Sequence, residues 1–241
     1  MRRRSIHLAA AVALATAGGS AAADGREASA SLGIAINQGN TESERYNLNA
    51  DYLERTNAHR FTANLELNRG KDGDGDEDVN NSRIGAGYDW FFHGPWYANS
   101  NLSWRQDRKA DLRQRYVAGI GAGYQFFDDD RIRLSAEAGP TYISEEKLLD
   151  SGDRNREAAA RWALDYRQYF MEGALRFFHR HELISELSDS DEWFVTSRTG
   201  LRMPLMENLS ASLQLNYDYD NNTEADSRYD ATTLVNLTYD W

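Results

Sequence analysis

The last thirteen residues read Tyr229-Asp230-Ala231-Thr232-Thr233-Leu234-Val235-Asn236-Leu237-Thr238-Tyr239-Asp240-Trp241. In an extended chain successive side chains point to opposite sides. Tyr229, Ala231, Thr233, Val235, Leu237, Tyr239 and Trp241 therefore share one face. Asp230, Thr232, Asn236, Thr238 and Asp240 share the other, with Leu234 as the one apolar exception. Period-two alternation of this kind predicts a strand with one face buried in an apolar medium. Rings close the apolar face at both ends, and aliphatics fill its middle.

The same period recurs upstream, at Ala30-Leu32-Ile34-Ile36, Tyr46-Leu48-Ala50-Tyr52, Phe61-Ala63-Leu65-Leu67 and Ile84-Ala86-Tyr88-Trp90-Phe92. It continues through Trp96–Trp104, Tyr116–Phe126, Ile132–Tyr142, Ala158–Tyr166 and Leu209–Tyr219. Two less regular segments, near 173–184 and 193–203, bring the expected number of strands to twelve. Each is about 10 residues long, the length a tilted strand needs to cross a bilayer. Connections alternate short (55–60, 93–95, 128–131, 168–172, 204–208) and long and polar (38–43, 71–80, 107–113, 145–156, 185–192, 220–227).

Composition sets the limits. The chain has 241 residues, no Cys, a net charge of -11 and a mean hydropathy of -0.72. Without Cys there is no disulfide framework, thiolate metal site or Cys nucleophile. The acidic balance excludes nucleic acid as a partner bound through counterion release. No run of about 18 apolar residues exists, so membrane helices are excluded. The N-terminus carries Arg2-Arg3-Arg4, a short apolar stretch Ile6–Ala17 and the small residues Ala21-Ala22-Ala23. That is the anatomy of a secretory signal peptide over 1–23, leaving 24–241 as a single domain. Its removal takes the net charge from -11 to -14, because three arginines leave with no acid.

A soluble sandwich or lipocalin-like barrel would turn its apolar face inward. A transmembrane barrel turns it toward lipid and keeps polar residues in the lumen. The placement of the 28 aromatics (6 Trp, 13 Tyr, 9 Phe) favours the second. They cluster at strand ends as Tyr88, Trp90, Phe91, Phe92; Trp96, Tyr97, Trp104; Tyr124, Phe126, Phe127; Tyr217, Tyr219; and Tyr239, Trp241. Rings at headgroup level with aliphatics between them form the girdles of a membrane barrel. The expectation is an all-β, antiparallel up-and-down barrel in the outer membrane, with short periplasmic turns and longer extracellular loops. In hydrocarbon an unpaired sheet edge costs several kcal/mol, so strand 1 must close on strand 12.

The ending Tyr239-Asp240-Trp241 resembles the C-terminal signal by which the barrel assembly machinery recognises its substrates. Ser31-Leu32-Gly33-Ile34-Ala35-Ile36-Asn37-Gln38-Gly39-Asn40-Thr41-Glu42-Ser43, with its Gly39-Asn40-Thr41 loop, is similar to the opening of the salt-induced outer-membrane protein family (YdiY-like, domain of unknown function 481). Ile84–Asp89, Gly119–Tyr124 and Ala138–Tyr142 fit the same layout, so the resemblance spans 28–241. It implies a barrel of the Gram-negative envelope with no settled activity, and carries over no catalytic residue and no cofactor.

The polar face supplies the candidate lumen residues: Arg45, Glu66, Arg83, Asp89, Arg105, Arg115, Glu137, Arg161, Asp165, Arg176, Arg180, Arg198 and Arg202. The arginines at 161, 176, 180, 198 and 202 fall on neighbouring strands. Two readings compete: a path for small polar or anionic solutes, with guanidinium forks holding carboxylates or phosphates, and an ion-pair network that fills the barrel. Asp72, Asp74, Asp76 and Asp78 alternate like a calcium loop. Counted from Asp72, however, the sixth position is Glu77 instead of Gly and the twelfth is Arg83 instead of Glu, so the template fails and a solvated acidic loop is expected. Asp128-Asp129-Asp130 reads as a turn. His179 and His181 alternate on one strand face without an evident third metal ligand. That face should meet lipid, so a bulge or a shifted register is expected there. No His-x-Ser-Asn-Gly stretch follows them, and Asp189, Asp191 and Glu192 have no adjacent His, so a lipase or protease site is not expected. A narrow channel or solute-binding barrel therefore stands first, a structural, salt-responsive envelope protein second and a hydrolase third. Lipid and lipopolysaccharide are the expected surroundings.

Overall fold

The computed structural model describes residues 25–37, 43–72, 74–148, 154–189, 191–221 and 228–241. The expected signal peptide and the Gly39-Asn40-Thr41 stretch lie outside the described residues. Twelve strands follow one another: β1 (Arg26–Asn37), β2 (Ser43–Arg55), β3 (His59–Asp72), β4 (Glu77–His93), β5 (Trp96–Asp107), β6 (Leu112–Asp128), β7 (Ile132–Lys147), β8 (Arg154–Phe170), β9 (Leu175–Glu186), β10 (Trp193–Met206), β11 (Leu209–Asp220) and β12 (Tyr229–Asp240). Each pairs antiparallel with its chain neighbours, and β1 pairs with β12, so the sheet closes. The seam runs from Ser29 opposite Asp240 to Ile34 opposite Val235. It is sealed at its end by Trp241 N–H donating to Ala28 O at 3.0 Å and Ala28 N–H to Trp241 O at 3.2 Å. Closure pairs the first and last strands along this seam, so the sheet has no free edge strand.

The connections 56–58, 94–95, 129–131, 171–174 and 207–208 fall at one end, called here the short-turn end, together with residues 25 and 241. The turn after β6 shows why Asp is used there. The Asp129 carboxylate accepts the backbone N–H of Arg131 at 2.8 Å and of Ile132 at 2.9 Å. Those two donors hold its carboxyl below the usual carboxylate range. In the turn after β8, Met171, Glu172 and Gly173 all take positive φ.

The apolar face is the outer one. Ile120 and Val235, both mid-strand, are 67% and 62% exposed. A soluble barrel would bury such residues; here the aliphatic middles of the strands form an external belt. Tyr88, Trp90, Phe92, Trp96, Phe126, Tyr239 and Trp241 are exposed on that face toward the short-turn end. Trp104, near the long-loop end of β5, and Tyr217 on β11 also point outward and are half-buried, as is Tyr124. Neighbouring rings touch: Trp96 and Tyr124, and Tyr124 and Phe126, lie edge to face at 4.8 Å between centroids.

Two expectations are corrected. Tyr97 is not an outer ring; it is fully buried in the lumen, stacked under the Arg60 guanidinium at 4.9 Å with its hydroxyl donating to Glu137 at 3.1 Å. It alternates with Trp96, so only one of the two can point out. The bulge expected in β9 is absent. β9 pairs without a register shift on both sides, from Phe170 opposite Leu175 and from Arg202 opposite Arg176. His179 and His181 therefore do face outward. They are accommodated by one another and by neighbours: Trp162 Nε1–H donates to His181 Nε2 at 3.1 Å, His181 Nδ1 lies 2.9 Å from His179 Nε2, and His179 Nδ1 lies 2.7 Å from Thr199 Oγ1. The shift in this region lies in β10 instead, between Pro204 and Met206, where proline supplies no ladder donor.

The lumen as candidate functional site

Alternation places the polar residues of every strand inside the barrel, where water is limited and charges must find partners. They do so in layers. Near the long-loop end, Arg45 pairs with Asp78 at 3.1 Å, and Arg115 holds Glu145 at 2.5 Å and Asp220 at 3.0 Å. Below them Arg198 is a hub. Its Nη1 donates to Asp218 at 2.8 Å, and its Nε and Nη2 reach across the lumen to the two oxygens of Glu66 at 3.1 and 3.2 Å. Arg105 pairs with Asp218 at 3.2 Å and with Asp107 at 3.1 Å. Arg83 stands directly opposite Glu66 in the register but donates to Thr196 Oγ1 at 3.2 Å.

Nearer the short turns, Arg161 bridges Glu182 at 2.8 Å and Glu137 at 2.9 Å, and Arg180 binds Asp165 at 2.9 Å. Arg60 donates to Asp89 at 2.6 Å and to Gln125 at 2.7 Å. Arg202 holds Asp240 at 2.5 Å. Of the arginines proposed for the lumen, Arg83 and Arg176 form no ion pair among the described residues.

A cavity of about 430 Å³ runs up from the short-turn end. Glu27, Arg55, Arg133 and Asp240 line its mouth, and it reaches Glu66, Arg83 and Arg198. Asp89, Glu137, Arg161, Asp165, Arg176, Arg180 and Arg202 border it; Arg45, Arg105 and Arg115 lie beyond it toward the long loops. There the wall between β6 and β10 is filled by an apolar cluster of Val117, Ile143, Ala159, Ile184 and Phe194, with the Arg115 guanidinium 4.2 Å from the Phe194 ring centroid. Leu234, the exception in the last strand, is inside too and 1% exposed.

Alternation was the sole signal for this plug: Val117 and Leu234 interrupt polar faces. Arg60 and Arg167 are further lumen residues. Each occupies a polar-phase position at a strand end, two residues from Thr62 and Asp165 respectively, so strict alternation carried to the strand ends identifies both. The acidic loop has no metal-binding cluster among the described residues. Asp72 instead accepts the N–H groups of Asp74 at 3.1 Å and Asp76 at 2.8 Å, and Asp78 is paired with Arg45.

Residues 30–241 match the family described as "Protein of unknown function, DUF481". The chain belongs to the DUF481 family. No curated protein matches this family member significantly. Among solved structures it is similar to the NanC porin at 12% identity, with a TM-score of 0.48 over 89% of this chain and 97% of that one. The KdgM porin is 9% identical, with a TM-score of 0.45 over 88% of this chain and 98% of that one. The translocator domain of the autotransporter NalP from Neisseria meningitidis is 14% identical, with a TM-score of 0.47 over 90% and 88%.

Proposed function

We propose that this DUF481 protein is an outer-membrane barrel that takes small anionic solutes into its lumen from the periplasmic side, acting as a solute-binding barrel or narrow channel. The cavity carries the reading. Its volume of about 430 Å³ suits a small ligand, and arginines line it from mouth to floor. The exposed aliphatic belt supports placement in lipid and lipopolysaccharide. With the short turns periplasmic, β12 and its terminal Trp241 are the segment for the barrel assembly machinery, after export by the 1–23 signal peptide. Reconstituted in a planar bilayer, the protein should give discrete conductance steps with a reversal potential on the anion side. A silent barrel removes the channel and leaves only a solute-binding barrel, and a cation-selective one sinks the proposal.

A structural role is the second reading, and the dense pairing of lumen charges favours it. It predicts detergent or salt sensitivity on deletion with unchanged solute uptake. A hydrolase has less support: His179 and His181 contact Trp162 and Thr199, and among the described residues no carboxylate or serine orients them. Lipid or peptide turnover lost on His179→Ala would reinstate it.

A further inference from the structure

We propose that Arg176 and Arg202 form the binding site for the carboxylate group of a small organic anion. The inference rests on the anion-binding reading of the lumen and names its site and ligand class. Arg176 on β9 and Arg202 on β10 are direct cross-strand partners, and both border the cavity near the short-turn end. Like charges so placed repel each other. Arg202 is tied down on its far side, where Nη2 donates to Asp240 and Nε to Ser210, both at 2.5 Å. Arg176 is not. Among the described residues it has no ion pair, its Nε is buried without a hydrogen-bond partner, and its guanidinium lies 5.9 Å from the Tyr169 ring centroid. A guanidinium keeps its charge at any physiological pH, so it cannot escape by losing a proton. A desolvated, unpaired donor on a permanent cation requires an acceptor.

The same barrel shows which acceptor suits such a pair. Arg133 on β7 and Arg167 on β8 are also direct cross-strand partners. The Glu27 carboxylate sits with them, 3.1 Å from Arg133 and 3.8 Å from Arg167. An internal carboxylate thus offsets the like-charge repulsion in one pair. At the other pair, the cavity gives a diffusible carboxylate the same access. The planar fork of Arg176 matches a carboxylate in bidentate fashion, and Arg202 adds a second positive charge.

The test is calorimetric titration of the folded, detergent-solubilised barrel with succinate and, separately, with inorganic phosphate. The wild type should bind succinate more tightly than phosphate. Arg176→Gln should weaken succinate binding about tenfold or more, with heat-modifiable gel migration showing that the barrel is folded. Should that variant not fold, Arg176→Lys, which keeps the charge without the fork, should show most of the same loss. No succinate binding by the wild type, unchanged affinity in the variant, or preference for phosphate overturns the site. A barrel silent in bilayers that still binds succinate through Arg176 keeps the site and removes transport. An anion-selective channel indifferent to Arg176 keeps the channel and removes the site.

Discussion

Glu27 on β1 accepts a hydrogen bond at 3.1 Å from Arg133 on β7, so a side chain of the first strand reaches across the mouth of the cavity. Asp128 makes a second crossing, with Arg55 at 2.6 Å. The mouth is therefore narrowed by its own charges. Glu27→Gln should raise single-channel conductance and strengthen anion preference, because it removes a negative charge and a bridge together. Glu27 is 54% exposed, so the pair contributes little to stability. The unfolding free energy should change by less than about 1 kcal/mol. Unchanged conductance and selectivity would show that this bridge does not control the mouth.

Arg198 makes the opposite prediction. It is well shielded and holds Glu66 and Asp218 together from opposite walls. Arg198→Met leaves two shielded carboxylates without their main partner, and should destabilise the barrel by about 3–5 kcal/mol in urea unfolding from lipid vesicles. Adding Glu66→Gln and Asp218→Asn should recover part of that loss, since the deficit is one of unpaired charge.

β6 and β7 approach closely where Pro140 interrupts the ladder. A Cβ on Gly139 would stand 2.1 Å from Ile120 O and 2.5 Å from Gly121 Cα. Both obstacles are backbone, so neither can rotate away. Gly139→Ala should cost at least about 1–3 kcal/mol, the range for overpacking, and lower the yield of heat-modifiable barrel. Gly75, whose Cβ would meet nothing within 4 Å, is the comparison for space, although its positive φ adds strain of its own.

The Trp162–His181–His179–Thr199 chain on the outer face satisfies its donors and acceptors internally. Replacing His181 alone by Leu leaves the Trp162 N–H and a ring nitrogen of His179 without partners, and should destabilise by about 1–3 kcal/mol. Replacing both histidines by Leu together with Thr199→Val should be less harmful than the single change in a lipid vesicle, because only the Trp162 N–H then lacks its partner. Equal losses would indicate that packing, and not hydrogen bonding, sets the effect.

Much of the barrel was legible because period two is a local property. Tyr229 to Trp241 identifies a two-faced strand without any knowledge of what it pairs with. Repetition of that pattern implies many strands, and the exposed backbone of an open sheet then requires closure. Arg198 and Arg180, or Arg202 and Arg176, could be assigned to neighbouring strands from the order of the chain. Their partners could not. Glu66 is 132 residues from Arg198 and meets it only because the sheet curls. Alternation places the His179 face outward and β9 keeps that register without a bulge, because a three-dimensional hydrogen-bond chain satisfies the imidazoles without moving the backbone.

The sequence by itself determined the alternation, the strand order, the closed edge and the signs of the charges in the lumen, because each follows from neighbours along the chain or from the demand that backbone groups be paired. Tertiary structure alone decided which charges neutralise which, since ion pairing depends on distances of a few ångströms across the lumen. It also decided that Val117, Ile143, Ile184 and Phe194 gather into one apolar plug. Their shared side of the wall is set by register and curvature, and that packing leaves the cavity, with Arg176 beside Arg202, at the short-turn end.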